Sequence, residues 1–116
     1  MRFISIYTHE PTGRGPTQAE METMGKLVEE GMKAGWLIAT EGVSFGSNGF
    51  RVHKSPGSAA TVTDGPFAEA KEVLGGYALM QAASKAEVIE LTKRFLGVTG
   101  QGTCEIYQLY EMPARN

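Results

Sequence analysis

The sequence predicts an α+β domain, an antiparallel sheet with two helices on one face and an inserted β-hairpin. Two capping boxes, Thr17-Gln18-Ala19-Glu20 and Ser84-Lys85-Ala86-Glu87, each open an apolar stripe at helical spacing. Short β-rich runs bounded by Gly, Pro and Asn turn residues fill most of the remainder. At 116 residues the chain is expected to be one domain over 1–116, long enough to bury a core without staples.

Residues 2–8 read as the first strand, and 9–16, with two Pro and two Gly, as a loop. Thr17 then opens a helix whose stripe is Met21, Met24, Leu27, Val28 and Met32; it runs to about Ala34, and Gly35 ends it. Trp36 to Phe45 reads as a strand with an irregularity at Glu41-Gly42. Gly46-Ser47-Asn48-Gly49 is a turn, since Asn-Gly is a strong hairpin signal, and Phe50 to Lys54 is the returning strand. Ser55-Pro56-Gly57-Ser58 is a second turn, Ala60 to Thr63 a short strand, and Leu74 to Ala82 another. Ser84 opens a second helix with Val88, Leu91, Thr92 and Phe95 on one face. Gly97 to Gly102 reads as a loop and Thr103 to Met112 as the last strand. The order β-α-β-β-β-β-α-β, with the middle hairpin as an insertion, is a split βαβ pair, the ferredoxin-like pattern.

The strands also carry an oligomer expectation. Neither face of the first, fourth main and last strands is cleanly polar, whereas an antiparallel sheet with one wet face alternates sharply. The face away from the helices is therefore expected to be covered by a second copy, giving a homodimer of the dimeric α/β-barrel type.

Bulk properties exclude several functions. Net charge is −2 and the basic residues are scattered, which argues against nucleic acid. No apolar run approaches a membrane span or a signal-peptide core, so a cytoplasmic protein is expected. Cys104 is alone, so no intrachain disulfide forms, and it reads as a small buried hydrophobe. His9, His53 and Cys104 lack metal-ligand spacing. The glycines form neither a dinucleotide fingerprint nor a P-loop, and there is no nucleophile elbow, so no metal and no cofactor is expected.

The densest cluster of chemistry is Asp64-Gly65-Pro66-Phe67-Ala68-Glu69-Ala70-Lys71-Glu72, which begins with the chain's single aspartate. Asp-Gly-Pro is turn chemistry, with a carboxylate that accepts from backbone N–H groups. The same carboxylate at a strand end also suits an acid, a base or a ligand anchor. Lys71 reads either as part of a solvated ion-pair cluster or as an anion anchor paired with Asp64. Glu41 shares parity with Leu37 and Ala39, so it is expected to point inward with Arg51 or Lys71 as its partner. His53 is an imidazole, the side-chain type suited to proton transfer near neutral pH, but a lone His on a hairpin reads more often as merely exposed. His9, in the Gly/Pro loop, either caps a cleft or faces solvent.

This run resembles the signature of the DGPF branch of the YCII-related family. The matching residues are Val62-Thr63-Asp64-Gly65-Pro66-Phe67, Glu69, Lys71-Glu72 and Leu74-Gly75-Gly76-Tyr77. The resemblance extends along the chain through Tyr7, Gly35-Trp36 and Glu41-Gly42. It implies a ferredoxin-like fold, usually dimeric, with a largely unassigned activity and genes often placed beside extracytoplasmic-function sigma factors. Some relatives pair a His early in the first helix with an Asp. This helix has Glu20, Glu22 and Lys26 there but no His. The resulting expectation is a small-ligand-binding protein with a polar cleft at the Asp64 loop and cofactor-free acid–base chemistry on a small anionic or enolisable organic molecule. Asp64 and Lys71 would be the catalytic pair. Arg51 would contact an anion, Tyr7 and Tyr77 would form walls, and Glu41, His53, Gly65, Pro66 and Phe67 would complete the site. The alternative is a non-catalytic dimer acting on a protein partner such as a sigma-factor system.

Overall fold

The computed structural model describes residues 1–11, 16–43, 49–65 and 73–111. The elements are β1 (Arg2–His9), α1 (Gln18–Ala34), β2 (Leu37–Gly42), β3 (Phe50–His53), β4 (Thr61–Asp64), β5 (Val73–Gln81), α2 (Lys85–Thr99) and β6 (Thr103–Gln108). The main sheet has the order β2-β5-β1-β6, and each described pairing is antiparallel. Counting only these four strands, the order is that of the ferredoxin-like α+β fold.

Both helices begin as the capping boxes dictate. The Thr17 hydroxyl accepts from the Glu20 N–H at 3.1 Å, and the Ser84 hydroxyl accepts from the Glu87 N–H at 3.2 Å. The Glu87 carboxylate reaches back to accept from the Ala83 N–H at 3.1 Å. Both helices end at a left-handed glycine, Gly35 at φ +87° and Gly100 at φ +84°. The expected loop from Gly97 is therefore wrong at its start. The helix carries Gly97 in its last turns and stops at Thr99, because an interior glycine costs a helix only about 1 kcal/mol.

Three further expectations are corrected. The returning strand β3 pairs with β4, not with the strand before it. The turn between β3 and β4 is Ser55-Pro56-Gly57-Ser58, where Ser58 N–H donates to Ser55 O at 3.1 Å and Gly57 has φ +78°. Pro followed by a left-handed Gly suits a type II turn. The Gly46–Asn48 part of the other expected turn lies outside the described residues. Next, the last strand stops at Gln108 rather than Met112. Finally, β2 carries an irregularity between Leu37 and Ala39, where one extra residue shifts the register against β5. Leu37 pairs with Met80 on the helix side, while Ala39 and Glu41 pair with Leu79 and Tyr77 on the opposite side. Glu41 is thus turned away from the helices and is exposed, not inward.

Cross-strand registers sort the helix-facing residues into rows. One row is Leu37, Met80, Phe3 and Gln108; the next is Thr40, Ala78, Ser5 and Ile106; the third is Gly42, Gly76, Tyr7 and Cys104. The packed core sits over the first row and consists of Phe3, Leu37, Met80, Ala82 and Val88, with Val28, Trp36 and Leu91 against it. On the other face the rows are Ala39, Leu79, Ile4 and Tyr107, then Glu41, Tyr77, Ile6 and Glu105. Among the described residues no helix is long and apolar enough to cross a membrane.

Trp36 is half-buried and closes the core beside Gly31. A Cβ at Gly31 would lie 2.8 Å from the Trp36 ring and 2.9 Å from Leu37 Cβ. Gly31→Ala should therefore be destabilising, by roughly 1–2 kcal/mol in urea melts, because overpacking outweighs the helix-propensity gain. A more stable variant would contradict this packing.

Candidate functional site

Residue size explains where the site lies. The first row fills the space under the helices with Leu37, Met80 and Phe3. The second and third rows offer mainly Thr, Ala, Ser, Gly and Cys side chains, with Ile106 and Tyr7 as the exceptions. Between these rows and the helices is a cavity of about 1030 Å³. Met24, Val28, Leu91, Phe95 and Val98 wall it from the helices. Ser5, Tyr7, His9, Gly75, Gly76 and Cys104 line it from the sheet. The described lining includes Glu20 and Glu41 but neither Lys nor Arg.

Tyr7 is fixed at one end of this cavity from several directions. Its hydroxyl donates to Gln101 O at 2.7 Å. Its ring stacks on His9 with centroids 5.5 Å apart and meets the Phe95 ring edge-on at 5.0 Å. The β1–β5 register skips Gly75, which forms a bulge beside Tyr7. A Cβ at Gly75 would lie 2.6 Å from the Tyr7 ring and 2.9 Å from the His9 ring. A Cβ at Gly102 would collide with the opposite edge of the Tyr7 ring. Only glycine permits this approach on both sides.

The His9 ring is held at the end of β1. Its Nδ1 lies 2.7 Å from Glu10 O, a carbonyl that only accepts, so Nδ1 is the donor in this contact. The strand end is tied to the loop after α2 by Glu10 N–H, which donates to Gln101 Oε1 at 3.3 Å, and by Gln101 Nε2, which donates to Glu10 O at 3.5 Å. The hydroxyls of Thr92 and Thr99 donate to helix carbonyls of Val88 and Leu96, at 2.8 and 3.2 Å.

Among the described residues, those expected at the site do not converge. Tyr7 lines the cavity from the helix side of the sheet. Glu41 and Tyr77 border it, but their registers turn both side chains to the other face, beside Ile6. Arg51 and His53 are exposed on β3, outside the lining; the His53 ring lies 3.1 Å from the Ser55 hydroxyl. Asp64 is exposed at the end of β4, and the Gly65 N–H donates to Gly49 O at 2.8 Å at the base of the hairpin. Pro66, Phe67 and Lys71 lie outside the described residues. Sequence reading left His9 undecided and missed Cys104, Phe95, Gly75 and Gly102 as site elements. The legible signal was Gly76 and Ala78 at alternate positions of β5, with Ser5 on β1 and Cys104 on β6, side chains too small to fill the space beneath two helices. Among the described residues no cluster of three or more His, Cys, Asp or Glu is placed to hold a metal.

Cys104 is half-buried in the cavity lining. Burial pushes its thiol above the ordinary 9.0, and a hydrogen bond with Ser5 pulls weakly the other way. The thiol is therefore protonated at neutral pH and a poor nucleophile. Iodoacetamide should label it more slowly at pH 7.5 than a free cysteine, and the rate should climb only as pH rises past 9.0. Rapid labelling at neutral pH would contradict this placement.

The structure is similar to that of 5-chloro-2-hydroxyhydroquinone dehydrochlorinase (TftG) from Burkholderia phenoliruptrix AC1100, solved in complex with 2,5-dihydroxybenzoquinone. The TM-score is 0.53 and the sequence identity 14%, over 97% of this chain and 96% of that one. At that identity the likeness shows the fold. No curated protein sequence matches the chain. The model of the YCII-related domain matches residues 1–113, so the chain belongs to the YCII-related family.

Proposed function

We propose that the chain binds a small cyclic organic molecule bearing hydroxyl or enol groups in the cavity between its helices and sheet, and acts on it by cofactor-free proton transfer. The observation that carries this reading is the cavity itself. Its volume of about 1030 Å³ suits a small molecule, and its walls are mostly apolar with a few polar groups, Tyr7, His9 and Gln101 among them. Aromatic and methionine side chains favour a flat ring. A described lining without Lys or Arg favours a ring held uncharged over a carboxylate or phosphate. The fold neighbour's bound 2,5-dihydroxybenzoquinone is a hydroxylated ring of this general kind.

In this reading His9 takes the role first expected of Asp64. Its imidazole, which lines the cavity beside Tyr7, is the group in this reading that exchanges a proton with a ligand hydroxyl or enol. Tyr7 positions that imidazole by stacking on it. Asp64, the last residue of β4, and Lys71, further along the chain, would also contribute. The reading also includes a homodimer formed through the open sheet face, where Leu79, Ile4, Ile6 and Tyr107 present an apolar stripe.

Calorimetric titration tests the cavity. Hydroquinone and catechol should bind saturably, and more tightly than benzoate, their anionic counterpart. Met24→Trp, which fills the cavity from α1, should weaken binding at least about tenfold while leaving the melting temperature close to the wild-type value. Absence of ring binding, or binding that Met24→Trp leaves intact, would contradict the proposal.

A further inference from the structure

We propose that the cavity tells a ring hydroxyl from a ring carbonyl, holding the first and rejecting the second. This selectivity rests on the cavity reading above and names the form of ligand that the cavity takes. Among the described residues of the helix-facing lining, the side-chain hydroxyls belong to Ser5, Tyr7, Thr40, Thr92 and Thr99. Thr40 donates to Tyr77 O at 2.8 Å, Thr92 to Val88 O at 2.8 Å and Tyr7 to Gln101 O at 2.7 Å. The Thr99 hydroxyl lies 3.2 Å from Leu96 O and 3.0 Å from Gln101 O. A carbonyl oxygen only accepts, so in each of these contacts the hydroxyl supplies its one proton. Ser5, only 7% exposed, is hydrogen-bonded to the Cys104 thiol.

A hydroxyl whose proton is given to the backbone keeps its oxygen lone pairs. The walls therefore meet a ligand as acceptors. The side-chain N–H groups of the described lining belong to His9, Trp36 and Gln101. Trp36 packs against the filled core, and His9 Nδ1 and Gln101 Nε2 both face Glu10 O. A ligand O–H finds waiting oxygens here. A ligand C=O meets lone pairs and is stripped of water without gaining a donor, which is the costly side of a hydrogen-bond exchange. The asymmetry also bears on turnover. When an enol becomes a ketone, its O–H and C=C are exchanged for C=O and C–H, with no atom gained or lost. The ketone lacks the O–H that the wall oxygens bind, so it is held less tightly than the enol and leaves.

Calorimetric titration of the full chain with hydroquinone and with benzonitrile tests this selectivity. Benzonitrile is a flat, uncharged ring of similar size whose nitrogen only accepts. Hydroquinone should bind at least about tenfold more tightly. Thr92→Val removes one wall oxygen without orphaning Val88 O, which keeps the backbone N–H of residue 92 in the helix ladder. It should shrink the preference at least about threefold by weakening hydroquinone alone, while Thr92→Ser keeps the wild-type preference. Failure of both rings to bind removes the cavity reading and this selectivity with it. Saturable binding of benzonitrile as tight as that of hydroquinone, or a preference that Thr92→Val leaves unchanged, overturns the selectivity alone and leaves the cavity reading standing.

Discussion

The Tyr7 ring, pinned between two glycines, is the constraint on which the rest of the site depends. Gly75 permits approach from β5, Gly102 from the loop entering β6, and Phe95 closes from α2. The hydroxyl bond to Gln101 O fixes the ring's reach, and Gln101 in turn brackets Glu10. One aromatic side chain therefore joins β1, β5, the end of α2 and the start of β6. It also sets the orientation of His9, which stacks on it. Moving the ring would move the imidazole and the loop together.

The same sheet is built unevenly along its length. Large residues at Phe3, Leu37 and Met80 make a filled core with Val88 beneath the start of α2. Small residues at Ser5, Ala78, Gly76 and Cys104 withhold side-chain volume further along. Unfilled space lowers stability relative to a packed core, and a protein keeps such space most readily where a ligand occupies it. One end of the helix–sheet layer is thus packed, and the other is left open for the ligand proposed above.

Much of the fold was legible because its signals are local. Thr17, Ser84 and Gly35 marked helix ends through hydrogen bonds made within a few residues. The α2 stripe of Val88, Leu91 and Phe95 marked the face that packs. What could not be read depends on long-range pairing. One extra residue in β2 reverses the side on which Glu41 points, and parity counting has no means of detecting it. The partner of β3 was misassigned because Asn48-Gly49 promised a tighter hairpin than the Pro56-Gly57 turn that the β3–β4 ribbon uses. The site was sought at the Asp64 run because charge and turn residues are conspicuous there. A cavity made by small side chains leaves no such mark, since each Ser, Ala or Gly is unremarkable until the strands are set in register.

Methionine-methyl NMR during a titration with hydroquinone tests the central claim, that the helix–sheet cavity is the binding site. Met24 and Met80 line the cavity, whereas Met32 is exposed on α1 outside it. The account predicts that the Met24 and Met80 methyl signals shift saturably together while Met32 stays in place. Saturable binding that moves Met32 but leaves Met24 and Met80 unshifted would contradict it.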